Sequence, residues 1–351
     1  MTAATARAAG PAMDRAADPA ATGRPRPAAA SARPAGAATM AARAFVADRL
    51  PTARALGRRL ADELDDPAAF AAAALAGLAV IADPACVAGQ RLVAPGIGPT
   101  LGIRTPLLDA VVAVLHREVR GVRPARLLVV ADVLAREEIR ELRWMAIHVL
   151  GWIVLEDPER AWQVVRGIGR EADDWITVDS LARVAAAGIL REPYRWAELE
   201  QLVFSPSRWE RRLVGSTIAT APHADHHAGR TADVIGRGLD LVGQLIGDAD
   251  PVVQKSLSWA LRELAGVDAV AVAAFCRAEA GRAAATGDGL RAWVLRDALA
   301  GLPPADGAAI RDALAGLRRT PGAASTSTAA TTAAAFASVG YGRPSVEAPL
   351  T

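Results

Sequence analysis

The sequence is poor in cysteine, aromatic residues and lysine, and each shortage narrows what the chain can be. Its 351 residues include two cysteines, Cys86 and Cys276, far apart and without a second cysteine beside either. That spacing leaves out a disulfide framework, a redox pair and a thiolate metal site, and it points to a reducing compartment. Aromatic residues make up 4% of a chain that is 52% hydrophobic, so each tryptophan is conspicuous. Glycine-rich phosphate loops, nucleophile elbows and paired Cys/His nucleophiles are missing; the G-I-G-P of Gly96 to Pro99 is too short for a nucleotide fingerprint. The apolar run Ala68 to Ala82 is 15 residues of mostly alanine, short of the ~20 needed to cross a bilayer. The opening mixture of Ala, Pro and Arg has no apolar core of a signal peptide. A cytoplasmic protein with no membrane partner is expected.

Charge has to be read by region. The formal net charge is +2, but the first 45 residues carry six Arg against two Asp. From Val46 to Arg319 there are 32 Arg and one Lys against 35 acidic residues, a net charge of −2. The body is therefore not generally basic, and nucleic acid could be held only if the cations gather on one face. The stretches RPRPAAASARPAGAA and ASTSTAATTAAAFA contain too little apolar surface to offset the entropy of ordering. Disordered tails are expected over 1–45 and 320–351, flanking a body over 46–319.

The body is expected to be all-α. Asp66-Pro67, Asp83-Pro84, Asp157-Pro158 and Asp250-Pro251 each offer a capping carboxylate followed by a proline where its missing N–H is harmless. No stretch alternates at period two, and strand formers such as Leu127 to Val130 sit inside helical patterns. About twelve to fourteen helices joined by short loops follow.

Three of these helices display unusual faces. In PVVQKSLSWALREL, Val253, Leu257, Ala260, Leu261 and Leu264 make the buried stripe. Trp259 falls opposite, between Lys255 four residues before it and Arg262 three residues after it. In DDWITVDSLARVAAAGIL, Val178, Leu181, Ala185 and Ile189 are the core stripe, while Trp175, Asp179 and Arg183 share a wetter face. In SPSRWERRLVGSTIA, Arg208, Arg212 and Ser216 align, and Leu213, Val214 and Ile218 face elsewhere. Such a patch suits a flat, charged ligand. The conspicuous residues Trp144, Trp175, Arg212 and Trp259 recur 30 to 50 residues apart, a spacing that fits helix pairs stacked as a curved α-solenoid with the second helix of each pair lining one groove.

The motifs W-x-x-V-D at Trp175 to Asp179, W-x-R-R at Trp209 to Arg212 and V-Q-K-x-x-x-W-x-L-R-E at Val253 to Glu263 resemble the AlkD-like DNA alkylation repair family. G-I-R-T-P at Gly102 to Pro106 and E-L-R-W-x-A at Glu141 to Ala146 occur in the expected order. The resemblance spans roughly Leu50 to Leu317. It implies HEAT-like repeats and a monofunctional glycosylase, working as a monomer without a cofactor or metal, that removes N3- and N7-alkylated purines from double-stranded DNA without flipping them into a deep pocket. A cationic base needs no general acid to leave. It leaves behind an oxocarbenium-like sugar that calls for a carboxylate and a positioned water. Asp179 is the candidate for both tasks, Trp175 and Trp259 offer π faces to the cation or sugar, and Arg212, Arg208, Lys255 and Arg262 are candidates for phosphate contacts. Ile176 stands where members of the family often carry an acidic residue.

Competing readings are plain. Trp152, Trp162, Trp196, Trp293 and Trp209 are assigned to the core, and Arg211 and Arg212 read as surface or salt-bridge arginines, of which only Arg212 occupies a motif position. His223, Asp225, His226 and His227 could hold zinc or iron, but lie in a polar segment with no matching ligand cluster, so a solvated loop is expected. The alternative for the whole chain is a non-catalytic HEAT-like scaffold or DNA-structure binder, a reading the near-neutral body favours. The retained Trp175, Asp179, Arg212 and Trp259 favour the enzyme.

Overall fold

The computed structural model describes residues 36–338. The chain forms two units, Met1–Phe45 and Val46–Thr351. Among the described residues the secondary structure is sixteen α-helices and three short 3-10 helices, with no strand. In chain order these are α1 (Ala37–Asp62), α2 (Pro67–Val80), α3 (Pro84–Val93), α4 (Thr105–Glu118), α5 (Pro124–Ala135), α6 (Arg140–Ile153), α7 (Pro158–Glu171), α8 (Trp175–Arg191), α9 (Trp196–Val203), α10 (Arg208–Ala224), α11 (Ala232–Leu245), α12 (Pro251–Ala265), α13 (Ala269–Thr286), α14 (Gly289–Ala298), α15 (Pro304–Ala313) and α16 (Thr328–Ser338).

The helix starts follow from the Asp-Pro pairs. Asp66 accepts from the amides of Ala68 and Ala69, Asp83 from Ala85, and Asp250 from Val252. These side chains satisfy donors that a helix leaves open at its first turn. Asp157 differs. Its carboxylate makes no cap bond and pairs instead with Arg160 at 3.0 Å.

The even-numbered helices from α4 to α14 pack each against the next, α4 on α6, α6 on α8, α8 on α10, α10 on α12 and α12 on α14. A second layer is formed by α7, α9, α11 and α13, each packed against the helix that follows it. This is a helical repeat in two layers, and one layer carries Trp144, Trp175, Arg212 and Trp259 on four successive members. The stripes expected to be buried are buried: Val253, Leu257, Ala260, Leu261 and Leu264 of α12, and Val178, Leu181, Ala185 and Ile189 of α8, are fully inaccessible. Each leucine so placed contributes about 1.5–3 kcal/mol relative to exposure. Among the described residues no single helix is long and apolar enough to cross a membrane.

Several expectations need correction. Helix α1 begins at Ala37, inside the segment expected to be a disordered tail. At the other end, residues 325–338 are also ordered. Ser325 Oγ and the Thr326 amide donate to the Gly247 carbonyl at 2.8 and 2.9 Å, Thr326 Oγ1 donates to Asp288, and Ser327 Oγ donates to the Gln244 carbonyl. The hydroxyls that made this stretch look unfoldable are what anchor it, and α16 then buries Ala329 and Ala333 while packing on α11 and α9. The remaining tail expectations, over 1–35 and 339–351, lie outside the described residues.

Of the tryptophans assigned to the core, Trp162 and Trp196 are buried, whereas Trp152, Trp209 and Trp293 are only half-buried. Polar rings and cations cover the open sides of these three. His116 stacks on Trp152 with centroids 4.5 Å apart, Arg208 lies 5.0 Å over Trp209, and Lys255 lies 4.9 Å over Trp293.

Candidate functional site

Helix α8 opens on a buried cap. Asp174, itself buried, accepts from the amides of Ile176 and Thr177 at 2.8 and 2.9 Å and fixes the first turn. Trp175 is the first residue of that turn, and its Nε1 donates to the Val93 carbonyl at the end of α3, 3.0 Å away. The indole edge is thus tied down while the ring remains half-exposed. One turn on, Asp179 is held from α10. Arg212 Nε donates to Oδ1 at 3.0 Å, Arg212 Nη2 donates to Oδ2 at 2.7 Å, and Ser216 Oγ donates to Oδ1 at 2.6 Å.

Arg212 is 7% exposed, and its remaining Nη1 donates to the Val252 carbonyl of α12 at 2.6 Å. All three guanidinium nitrogens therefore end on protein acceptors, and the carbon of the guanidinium lies 6.0 Å from the Trp175 ring centroid. The reach from α8 through α10 to α12 depends on close helix packing. A Cβ on Gly215 would come within 2.9 Å of the Ser256 backbone carbon and Cβ, so only glycine lets α10 and α12 approach this far.

Asp179 consequently keeps a defined opening. Each carboxylate oxygen can accept about two hydrogen bonds. Oδ1 already takes two donors and Oδ2 one, and the Asp179 side chain is 18% exposed. The free acceptor position is on Oδ2.

Trp259 is half-buried on α12, and its Nε1 donates to Glu263 Oε1 at 3.0 Å, one turn along the helix. Glu263 Oε2 in turn sits 2.8 Å from His223 Nε2, from the last turn of α10. The two indoles expected at the site are therefore both half-buried and outside the hydrophobic interior. Among the described residues no hydrogen bond or ring contact joins Trp259 to Asp179; the helices that carry them are linked through α10.

The cations expected to serve as phosphate contacts are differently placed. Arg208 is largely exposed, 3.7 Å from Asp250 and over the Trp209 ring. Lys255 Nζ and Arg262 Nη1 both reach Asp297 of α14, at 3.2 and 3.0 Å, where Ser258 Oγ also donates at 2.6 Å. Burial raises the Asp297 carboxyl, but these three donors outweigh it and hold its pKa below the usual carboxylate value. Of the two readings of Arg211, surface or salt bridge, the second holds: it is buried on Asp248 at 2.7 Å. The His/Asp segment is solvated as anticipated, with Asp225, His226 and His227 exposed in the turn after α10 and only His223 belonging to the helix itself. His223 closes α10 and faces Glu263, while Asp225 accepts from the amides of His227 and Ala228. Among the described residues no group of three or more metal-ligating side chains converges.

Two neighbours were in view without a role. Ser216 was aligned with Arg212 and Glu263 closed the Trp259 motif, each four residues after its neighbour on the same helix face. Asp297 was missed, since nothing in the sequence pairs α14 with α12. The G-I-R-T-P and E-L-R-W-x-A motifs also prove to be one structural unit. Glu141, fully buried, accepts from Thr100 Oγ1 at 2.7 Å and from the amides of Leu101, Gly102 and Ile103 at 3.1, 3.1 and 3.2 Å. Gly102 has φ +78°, where its side-chain-free backbone passes against Asp83.

Comparison with known proteins agrees with this layout. A family model described as DNA alkylation repair enzyme matches residues 74–302, the span from α2 to the end of α14. No curated protein matches the sequence.

Proposed function

The chain belongs to the DNA alkylation repair enzyme family, and on that premise we propose that it is a monofunctional DNA glycosylase. Its substrates are N3- and N7-alkylated purines in duplex DNA, and its product is an abasic site. The observation that carries this reading is Asp179, a largely buried carboxylate with two donors on one oxygen and one on the other, which keeps acceptor capacity.

Alkylation at N3 or N7 makes the purine cationic, so the glycosidic C1′–N9 bond breaks with both electrons passing to the base and no proton needed. The sugar becomes an oxocarbenium-like cation. A carboxylate close by stabilises that charge, and the same carboxylate accepts a proton from the water that adds to C1′. Asp179 Oδ2 is the atom available for both roles.

Arg212 acts through Asp179. Its guanidinium is committed to Asp179 and Val252, so it positions the carboxylate and is a poor candidate for a phosphate contact. Trp175 and Trp259 present half-exposed indole faces, which attract a cationic base or sugar C–H groups by about 0.5–2 kcal/mol each. Arg208, exposed on α10, is the better placed of the expected cations to meet a phosphate. HEAT-like stacking would gather these groups along one groove of a monomeric, cytoplasmic enzyme.

The non-catalytic scaffold reading has one observation in its favour, the net charge of −2 between Val46 and Arg319. A duplex oligonucleotide with a single 7-methylguanine separates the two. Free 7-methylguanine released in proportion to enzyme, with an alkali-labile abasic site left behind, supports the glycosylase. Binding without release supports the scaffold.

A further inference from the structure

We infer that Arg319 and Lys255, both against the indole of Trp293, form a phosphodiester-binding site beside the N-terminal half of α12 and the middle of α14. The inference rests on the proposed function in taking duplex DNA as the ligand. Arg319 lies beyond the residues matched by the family model, which end at 302. It was not among the expected contacts.

Trp293 was assigned to the core, yet on α14 it is half-exposed and two cations share its ring. Lys255 Nζ is 4.9 Å from the centroid and the guanidinium carbon of Arg319 is 5.3 Å from it. An indole face attracts cations but does not neutralise them. It leaves two positive charges 4.9 and 5.3 Å from one ring centroid, a field that attracts an anion.

The charges around this point do not balance. Lys255 and Arg262 share one carboxylate, Asp297. Arg319 is exposed, and among the described residues its guanidinium has no carboxylate partner; Nη1 donates to the neutral amide oxygen of Gln254 at 2.9 Å. Gln254 is fully buried and donates in turn to the Asp248 carbonyl at 2.6 Å, so it is a rigid anchor for Arg319. Three cations with a single acid leave the cluster with two positive charges in excess, in a body that is otherwise acidic. Buried neutral groups hold the arginine in place while its charge faces solvent, which is the arrangement a monoanionic phosphodiester completes.

Its position on the helices identifies the source of the phosphate. Lys255 stands one turn before Trp259 on the same face of α12, so an anion held at Lys255 lies one helical turn from that indole. A duplex laid against that face would bring a backbone phosphate to it.

The test is binding of an undamaged 20-base-pair duplex to the full chain, followed by anisotropy across a salt series. Each phosphate neutralised contributes about 0.9 to the slope of log K against log salt. Arg319→Ala is expected to weaken binding severalfold at low salt and to make the slope shallower by about 0.9, Arg319→Lys to restore the slope, and Trp293→Leu to lower affinity because the cations lose their platform. Arg319→Gln provides a second neutral variant of similar shape, should the alanine variant misfold. A wild-type slope in both neutral variants, or no duplex binding by the wild type, would overturn the site. Release of 7-methylguanine is scored separately: loss of release with the Arg319 effect intact sinks the glycosylase and leaves this site standing.

Discussion

Arg212 meets Asp179 side on, Nε to Oδ1 at 3.0 Å and Nη2 to Oδ2 at 2.7 Å, across the interface between α10 and α8. A planar fork of this kind fixes both the position and the plane of a carboxylate, which an ammonium cannot do. Arg212→Lys keeps the charge and loses the fork. It is expected to lower kcat for 7-methylguanine release by roughly 10- to 100-fold, in line with the cost of about 1 Å misplacement. Affinity for undamaged duplex should stay within twofold of wild type. Equal losses in binding and turnover would instead make Arg212 a phosphate contact.

Glu141 governs the loop before α4. Its buried carboxylate takes four hydrogen bonds from residues 100–103. Glu141→Gln replaces one acceptor oxygen with a donor facing backbone N–H groups, and Glu141→Ala removes the acceptors altogether. Unsatisfied buried donors cost about 1–3 kcal/mol each. Urea unfolding should show Glu141→Ala destabilised by at least ~3 kcal/mol, with Glu141→Gln intermediate. A change below ~1 kcal/mol would show that the loop holds itself.

Acid sensitivity should come from two histidines. Burial pushes the His148 imidazole below its usual value, with Asp109 opposing, and burial followed by the neighbouring Arg120 does the same to His116. Each ring packs on a tryptophan, His148 on Trp144 and His116 on Trp152. A histidine whose folded pKa lies below its unfolded value of 6.5 is protonated more readily by the unfolded chain. Its full contribution to stability is therefore present above pH 6.5 and is lost as pH falls through the folded value. Asp297, held low, loses its contribution only below its ordinary 3.8. Thermal unfolding should thus shift downward as pH drops below 6.5, and His148→Phe should reduce the shift. An unchanged shift in that variant would assign the acid sensitivity elsewhere.

Helical periodicity read from the sequence placed the core stripes of α8 and α12 residue by residue, because burial in a helix layer repeats with the helix itself. Three of the four Asp-Pro caps were legible for the same local reason. Indole burial was not. Trp293 and Trp209 stand at core-like spacing, but their free faces are covered by cations: Arg208, its own neighbour, for Trp209, and Lys255 and Arg319, distant in sequence, for Trp293. The partners of Lys255 and Arg262 were hidden likewise, since Asp297 reaches them only through the packing of α14 on α12. Serine and threonine near Thr326 read as disorder because composition says nothing about the Gly247 carbonyl they meet.

Single-turnover release of 7-methylguanine from duplex DNA, comparing the wild type with Asp179→Asn, bears most directly on the central role of that carboxylate. The variant keeps the size and most contacts of the side chain but loses its negative charge. Release should fall by about 10²-fold or more, the scale of losing one electrostatic contact in a transition state, while duplex affinity changes little. Release by Asp179→Asn at the wild-type rate would contradict the assignment of Asp179 as the catalytic carboxylate.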